Sequence, residues 1–164
     1  MTTTADMPEL TATQAPPVAH DRDGARVRAV HRAARPLRAV LRANAVFSAT
    51  CGVVALLAAD RLAEWIGADV VWAVRLVGVG LVAYSPLLLA IAASRPARLT
   101  TLSVLVSIAD FGWVAATVAL LASGAVETTG TWIMAGTAAV VFVFGVQQLI
   151  TRRALTRTLA RTTG

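Results

Sequence analysis

Asp110 and Trp113 are the residues whose types and spacing invite chemistry. The acid stands in the middle of an apolar stretch running from Leu102 to Ala122, and the indole follows one helical turn later. A carboxylate at bilayer depth costs roughly 2.5 to 3.5 kcal/mol on insertion scales, so Asp110 is expected to face other helices, a watery cavity or a proton. At a rise of ~1.5 Å per residue it lies ~12 to 18 Å from either end of its stretch, close to the bilayer midplane. Without a polar partner there, it is expected to stay neutral and act as a hydrogen-bond donor. Three chemistries fit such a group: proton coupling, general acid and base work in an intramembrane pocket, and acid catalysis beside a ring that stabilises a cation. The bland alternative is an interhelical hydrogen bond that fixes packing, worth about 0.6 to 2 kcal/mol.

Few other side chains qualify as partners. Tyr84, two residues before Pro86, comes to a comparable depth in the preceding apolar stretch, so its hydroxyl reaches Asp110 if those helices face each other. Asn44 and Phe47 repeat the polar and aromatic spacing of Asp110 and Trp113, and this repeat is either chance or the trace of a duplicated hairpin. Ser48 and Gly52 form a small-xxx-small patch that lets helices approach closely, and Gly78, Gly80 and Gly136 are read as helix-packing glycines. Arg75 is the nearest candidate counter-ion to Asp110, but it starts two to three turns nearer one end, so a direct pair is not expected. Gln147 and Gln148 read as interfacial polar residues, and Cys51 as a small packing residue. His20 and His31 have no second ligand at metal spacing. The chain has no Gly-rich phosphate loop, no Cys/His metal pattern, no Ser/His/Asp arrangement and no histidine inside a span for haem. No cofactor or metal is therefore expected.

The elements that position these residues follow from composition. With 57% hydrophobic and 15% charged residues, the chain departs from the soluble average of roughly 45 to 50% apolar and 25% charged. It reads as an integral membrane protein with four spans, at about residues 37–59, 70–94, 101–122 and 131–150. Residues 1–21, rich in Thr and Pro, are expected to be disordered. Residues 22–36 read as a basic amphipathic helix lying on an anionic membrane face, with Val30, Ala33, Ala34 and Leu37 on one side. Pro36 then opens the first span as a new helix. Gly67 stops the first hairpin, Asp69 caps the second span, and Ser123 to Gly130 form a loop. Residues 152–164 are a basic tail. No cleavable signal peptide is expected, because the apolar region begins only near Leu37, behind an arginine-rich segment.

All 15 basic residues are arginine. The net charge of +6 is not a nucleic-acid signature, because the arginines are confined to segments between apolar runs. All but Arg61 and Arg75 fall in Arg22 to Arg42, in Arg95 and Arg98, or after residue 151. By the positive-inside rule both termini are then cytoplasmic, in the inner membrane. Trp65, Trp72 and Trp132 form an aromatic belt at the opposite interface.

The run Asn44, Ala45, Val46, Phe47, Ser48 together with Asp110, Phe111, Gly112, Trp113, Val114 resembles a pattern of small four-span bacterial membrane proteins of uncharacterised function. The likeness covers about residues 37 to 152. It implies an all-α, four-helix membrane fold and no activity.

The poverty of reactive groups leans against an enzyme. The leading expectation is a membrane protein that acts by association, as a homo-oligomer or as the accessory subunit of a larger complex. Two alternatives stand beside it: a small proton-coupled carrier using Asp110, and a membrane-embedded isomerase or cyclase for a lipophilic substrate.

Overall fold

The computed structural model describes residues 19–66 and 71–163, with side chains from 23 to 161 outside that gap. The tail before residue 19, the Gly67 stop and the Asp69 cap lie outside the described residues. Five helices make up the described chain: α1 (Ala19–Leu57), α2 (Ala59–Ile66), α3 (Val71–Ala93), α4 (Pro96–Ala122) and α5 (Thr128–Thr163). All but α2 are long and apolar enough to cross a membrane. Their sequences dictate this: runs of Ala, Val and Leu offer nothing to satisfy backbone amides in hydrocarbon except the helix itself. Large side chains such as Val46, Leu76 and Ile108 are each more than 60% exposed, the arrangement of a bundle whose outer face meets lipid.

α1, at 39 residues, and α5, at 36, are much longer than the spans they contain. Each runs ~55 Å, against a hydrocarbon core of ~30 Å. The excess of both emerges at the same end of the bundle. Pro36 does not open a new helix there: it sits inside α1, exposed, and the basic segment and the first span are one continuous rod. The apolar side of the basic segment is likewise not free to lie on a membrane. Ala34 and Leu37 are fully buried with Leu155 of α5, and Val30, Ala33 and Leu159 pack against the same cluster. The two extensions thus form a short antiparallel stalk with arginines on its outside. The apolar stripe was legible in the sequence; its covering by the basic tail depends on α5 continuing past its span.

Within the bundle, α1 is the central element. It packs along α3 on one side and α5 on the other, and α4 packs mainly on α5, whereas α3 and α4 meet sparsely although a short turn joins them. α1 and α3 approach backbone to backbone. A Cβ on Gly52 would lie 2.9 Å from the Gly78 carbonyl oxygen, and one on Gly78 would lie 3.0 Å from that of Gly52. Gly80 and Gly136 behave differently from expectation. Nothing stands within 4 Å of either missing side chain, because both occupy outward positions of their helices, and Gly145, against the ring of Phe111, does the packing in α5.

Each end of the bundle is tied by polar contacts. At one end α2 turns back under α3 and α5: the Glu127 amide donates to the Ile66 carbonyl at 3.1 Å, and Gly130 leaves room for the Trp65 carbonyl. Gly124, with φ 69°, supplies the left-handed residue that ends the α4 side of this loop. α5 begins at Thr128, so the loop is shorter than the Ser123 to Gly130 segment expected. At the other end, Arg38 of α1 donates through Nη2 to the Ser94 carbonyl, and Arg152 of α5 donates through Nε to the Thr100 carbonyl, both at 3.0 Å. The turn between α3 and α4 is held from both sides.

Candidate functional site

Asp110 is 4% exposed and stands where all four long helices converge. The side-chain amide of Asn44, from α1, donates to its Oδ2 at 2.9 Å. The amide of Gln148, from α5, donates to the same oxygen at 2.8 Å. The hydroxyl of Tyr84, from α3, donates to Oδ1 at 3.5 Å, the longest of the three contacts. One carboxyl therefore joins four helices, and every contact asks it to accept. The lone acid without a polar partner, for which a neutral donor was expected, is thus not the situation here: each of the other long helices supplies a polar partner.

A serine backs each of the two amides. Ser48, one turn along α1, donates to the Asn44 carbonyl oxygen at 3.3 Å, and Ser107, one turn before Asp110, donates to that of Gln148 at 3.1 Å. Ser107 shares its proton with the Ser103 carbonyl at 3.0 Å. Turning either amide over would set oxygen against oxygen at the Asp110 carboxyl, whereas a hydroxyl both donates and accepts, so Asp110 sets the amide orientation and the serines complete it. Asn44, Ser48, Ser107 and Gln148 are all buried. The centre is thus a connected polar network in which each buried group is satisfied, the condition under which such networks stabilise rather than disrupt.

Local sequence explains which residues meet. Leu99, Ser103, Val106, Asp110 and Thr117 lie on the buried stripe of α4 at alternating three- and four-residue steps. Trp113, three residues beyond Asp110, falls at the edge of that stripe, ~60° around the helix from Asp110. It is 36% exposed, and among the described residues no side-chain hydrogen bond or ring contact ties it to Asp110. The structure therefore does not tie Trp113 into the Asp110 centre. Pro86 also faces outward, and its neighbour Ser85 is the buried one, donating to the Leu81 carbonyl at 2.9 Å. Phe47 turns to Phe144, with ring centroids 5.7 Å apart.

Gln148 is the member that sequence reasoning missed. It is fully buried, not interfacial, while Gln147 beside it is exposed. A signal was present: Ala138, Val141, Gly145, Gln148 and Leu155 share one stripe of α5, all of them buried. Following that stripe leads to Gln148 and passes over Gln147.

Arg75 takes no part in the centre. It pairs with Asp60 at 3.5 Å and Arg61 with Glu64 at 3.3 Å, all at the end bearing α2 and all well exposed. Such pairs contribute about 0 to 1 kcal/mol. Trp65, Trp72 and Trp132 are 45%, 68% and 75% exposed, two of them at the start of a span and the third on α2. Cys51 is half-buried and free. Among the described residues no group of three His, Cys, Asp or Glu side chains is placed to hold a metal ion.

No protein-family model, curated protein or solved structure matches the chain.

Proposed function

We propose that the protein is a non-enzymatic membrane component that works by association, as a homo-oligomer or as the accessory subunit of a membrane complex, with the Asp110 centre as its internal clasp. The observation that carries this reading is the occupation of Asp110. Its carboxyl is buried and receives donors from each of the three other long helices, so no face of it is left for a substrate. What remains for function is the outside. Gly80, Gly112 and Gly136 stand on outward faces of α3, α4 and α5 with nothing within 4 Å of their missing side chains. Bare glycines exposed to lipid let a further helix approach closely. In this reading both termini and the arginine-rich stalk are cytoplasmic, the three exposed tryptophans sit at the opposite interface of the inner membrane, and headgroups of the anionic leaflet surround the arginines from Arg22 to Arg42.

Photocrosslinkers placed at positions 80, 112 and 136 in native membranes test it. A discrete product, either a dimer of this chain or an adduct with one partner, is expected from at least one position. Monomer alone from all three would end the proposal.

A second reading, a small proton-coupled carrier, is favoured by one observation. Tyr84 makes the longest contact to Asp110 and is only half-buried, and α3 and α4 meet sparsely. A swing of that hydroxyl would uncover one carboxyl oxygen along the α3–α4 seam. Asp110→Asn would then abolish proton-driven transport in vesicles at unchanged expression, and normal transport by that variant would reject the carrier. The isomerase or cyclase reading has no such support, because among the described residues no hydrogen bond or ring contact ties Trp113 to the acid.

A further inference from the structure

The four long helices are tied in two pairs. Arg38 of α1 donates to the Ser94 carbonyl just past α3, and Gly52 of α1 meets Gly78 of α3 backbone to backbone. Arg152 and Gln148 of α5 donate to Thr100 and Asp110 of α4, Ser107 of α4 donates back to Gln148, and Phe111 of α4 lies on Gly145. α1 with α3 is thus one unit and α4 with α5 the other, and α1 lies along α5 to join them. Within the spans, among the described residues, the hydrogen bonds that cross between the units are those of Asn44 and Tyr84. Both end on Asp110.

The two crossing bonds differ in length and place. Asn44 donates at 2.9 Å from α1, where Phe47 and Phe144 also bring α1 and α5 together. Tyr84 donates from α3 at 3.5 Å, past the range of about 2.5 to 3.0 Å usual for a hydroxyl donor. Its bond closes the α3–α4 edge. Toward the stalk that edge is packed, since Leu88 and Ile91 of α3 share a buried cluster with Leu99 and Val106 of α4. Toward α2 it is not. Beyond Tyr84 and Asp110 the buried residues among those described are Gly78 on α3, which faces α1, and Thr117 on α4, whose hydroxyl donates to its own helix at Trp113. Val77 and Trp113 are each 36% exposed, and nothing stands within 4 Å of the missing side chain of Gly80.

From this asymmetry we infer that the half of the α3–α4 edge toward α2 is a lateral gate, latched by Tyr84 on Asp110. Releasing one long bond parts α3 from α4 there. Asn44 and the contact of α1 with α5 hold the units together behind the gate, while the Arg38 and Arg152 clamps and the apolar cluster hold the turn at the other end. The opened edge brings Oδ1 of Asp110 and the Tyr84 phenol to the outer surface of the bundle, and Oδ2 keeps the amides of Asn44 and Gln148. The inference rests on the reading of Asp110 as an internal clasp and says which of its three bonds lets go. It differs from a swing of the tyrosine side chain alone, because the two helices themselves move.

Distances between paired spin labels on the full chain without its natural Cys51, purified into lipid nanodiscs, test the gate. Leu76→Cys with Leu120→Cys spans the edge. Val53→Cys with Leu76→Cys spans α1 to α3, and Val118→Cys with Ile133→Cys spans α4 to α5, all at exposed positions. The edge pair should show a second, longer distance, and the other two pairs a single one each. Tyr84→Phe, which removes the hydroxyl and keeps the ring, should raise the longer population about threefold, the effect of losing one modest hydrogen bond. Ser85→Ala, whose hydroxyl is bonded to the Leu81 carbonyl within α3, should leave that population unchanged. A single edge distance that Tyr84→Phe does not alter is what a merely swinging side chain gives, and it would overturn the gate. Equal broadening of all three pairs would overturn it too, as general loosening of the bundle. Neither result depends on a partner, so failure of the gate is separate from a failure of the chain to associate.

Discussion

Side chains in the interior divide sharply between those that hold Asp110 and those that merely stand near it. Gln148 shows the distinction most clearly, because it donates to Asp110 and accepts from Ser107 while its neighbour Gln147 makes neither contact. Gln148→Leu removes a donor from a buried carboxyl, while Ser107 keeps its bond to the Ser103 carbonyl, so it is expected to cost about 1 to 2 kcal/mol of unfolding free energy in detergent. Gln147→Leu, at an exposed position, is expected to change stability by less than ~0.5 kcal/mol. Equal losses from the two would show that the amide pair is not discriminated as described. Asp110 itself was legible as an interior residue, since no apolar stretch tolerates an acid without a reason. Its partners were legible only in part. Tyr84 and Asn44 sit at matching depth in spans of their own, but Gln148 lies one turn before Arg152, so depth counting placed it at the surface. Trp113, ~60° around α4 from Asp110, stands at the edge of the buried stripe, and an i+3 spacing alone does not say whether the edge of a stripe is covered.

Among the helices, the contact of α1 with α3 sets how tightly the bundle closes. Gly52 and Gly78 let two backbones come within the reach of a single methyl group. Gly52→Ala would push its Cβ to 2.9 Å from the Gly78 carbonyl and 3.0 Å from the Cβ of Leu81, both parts of α3 that cannot swing aside. Overpacking of this kind costs about 1 to 3 kcal/mol. Gly80→Ala meets nothing and should be neutral or stabilising by a few tenths up to about 1 kcal/mol. Thermal denaturation of the two variants in one detergent checks this, and a loss from Gly80→Ala as large as that from Gly52→Ala would contradict the packing. The small-xxx-small patch at Ser48 and Gly52 signalled this surface in the sequence. Sequence alone does not say which glycines of α3 and α5 answer it, because every face of these helices is apolar and hydrophobic periodicity carries almost no information there. Helix ends suffered from the same weakness: the polar extensions of α1 and α5 were read as separate segments, whereas their apolar stripes pack on each other.

At the scale of the whole molecule, the four long helices place the start of α1 and the end of α5, and with them the stalk, at one end of the bundle. In a chain lacking its natural Cys51, single cysteines at positions 26 and 157 should react with an impermeant maleimide only after cells are opened, and one at position 127 before. Labelling of 26 and 157 from opposite sides would break the arrangement. What keeps the bundle together is the centre to which each long helix contributes one polar side chain, with Asp110 receiving the other three. The most direct measurement is the unfolding free energy of Asp110→Asn beside Asp110→Leu, taken in the same micelles. Asparagine keeps an oxygen for Asn44 and Gln148 and turns its own amide toward Tyr84, so it should stay within ~1 kcal/mol of the natural protein. Leucine leaves two buried amides without an acceptor and should lose about 2 to 4 kcal/mol, given 1 to 3 for each stranded group less what relaxation recovers. Equal stability of the leucine variant and the natural protein would show that Asp110 does not clasp the four helices, and an asparagine variant as unstable as leucine would show that charge, not hydrogen bonding, holds them.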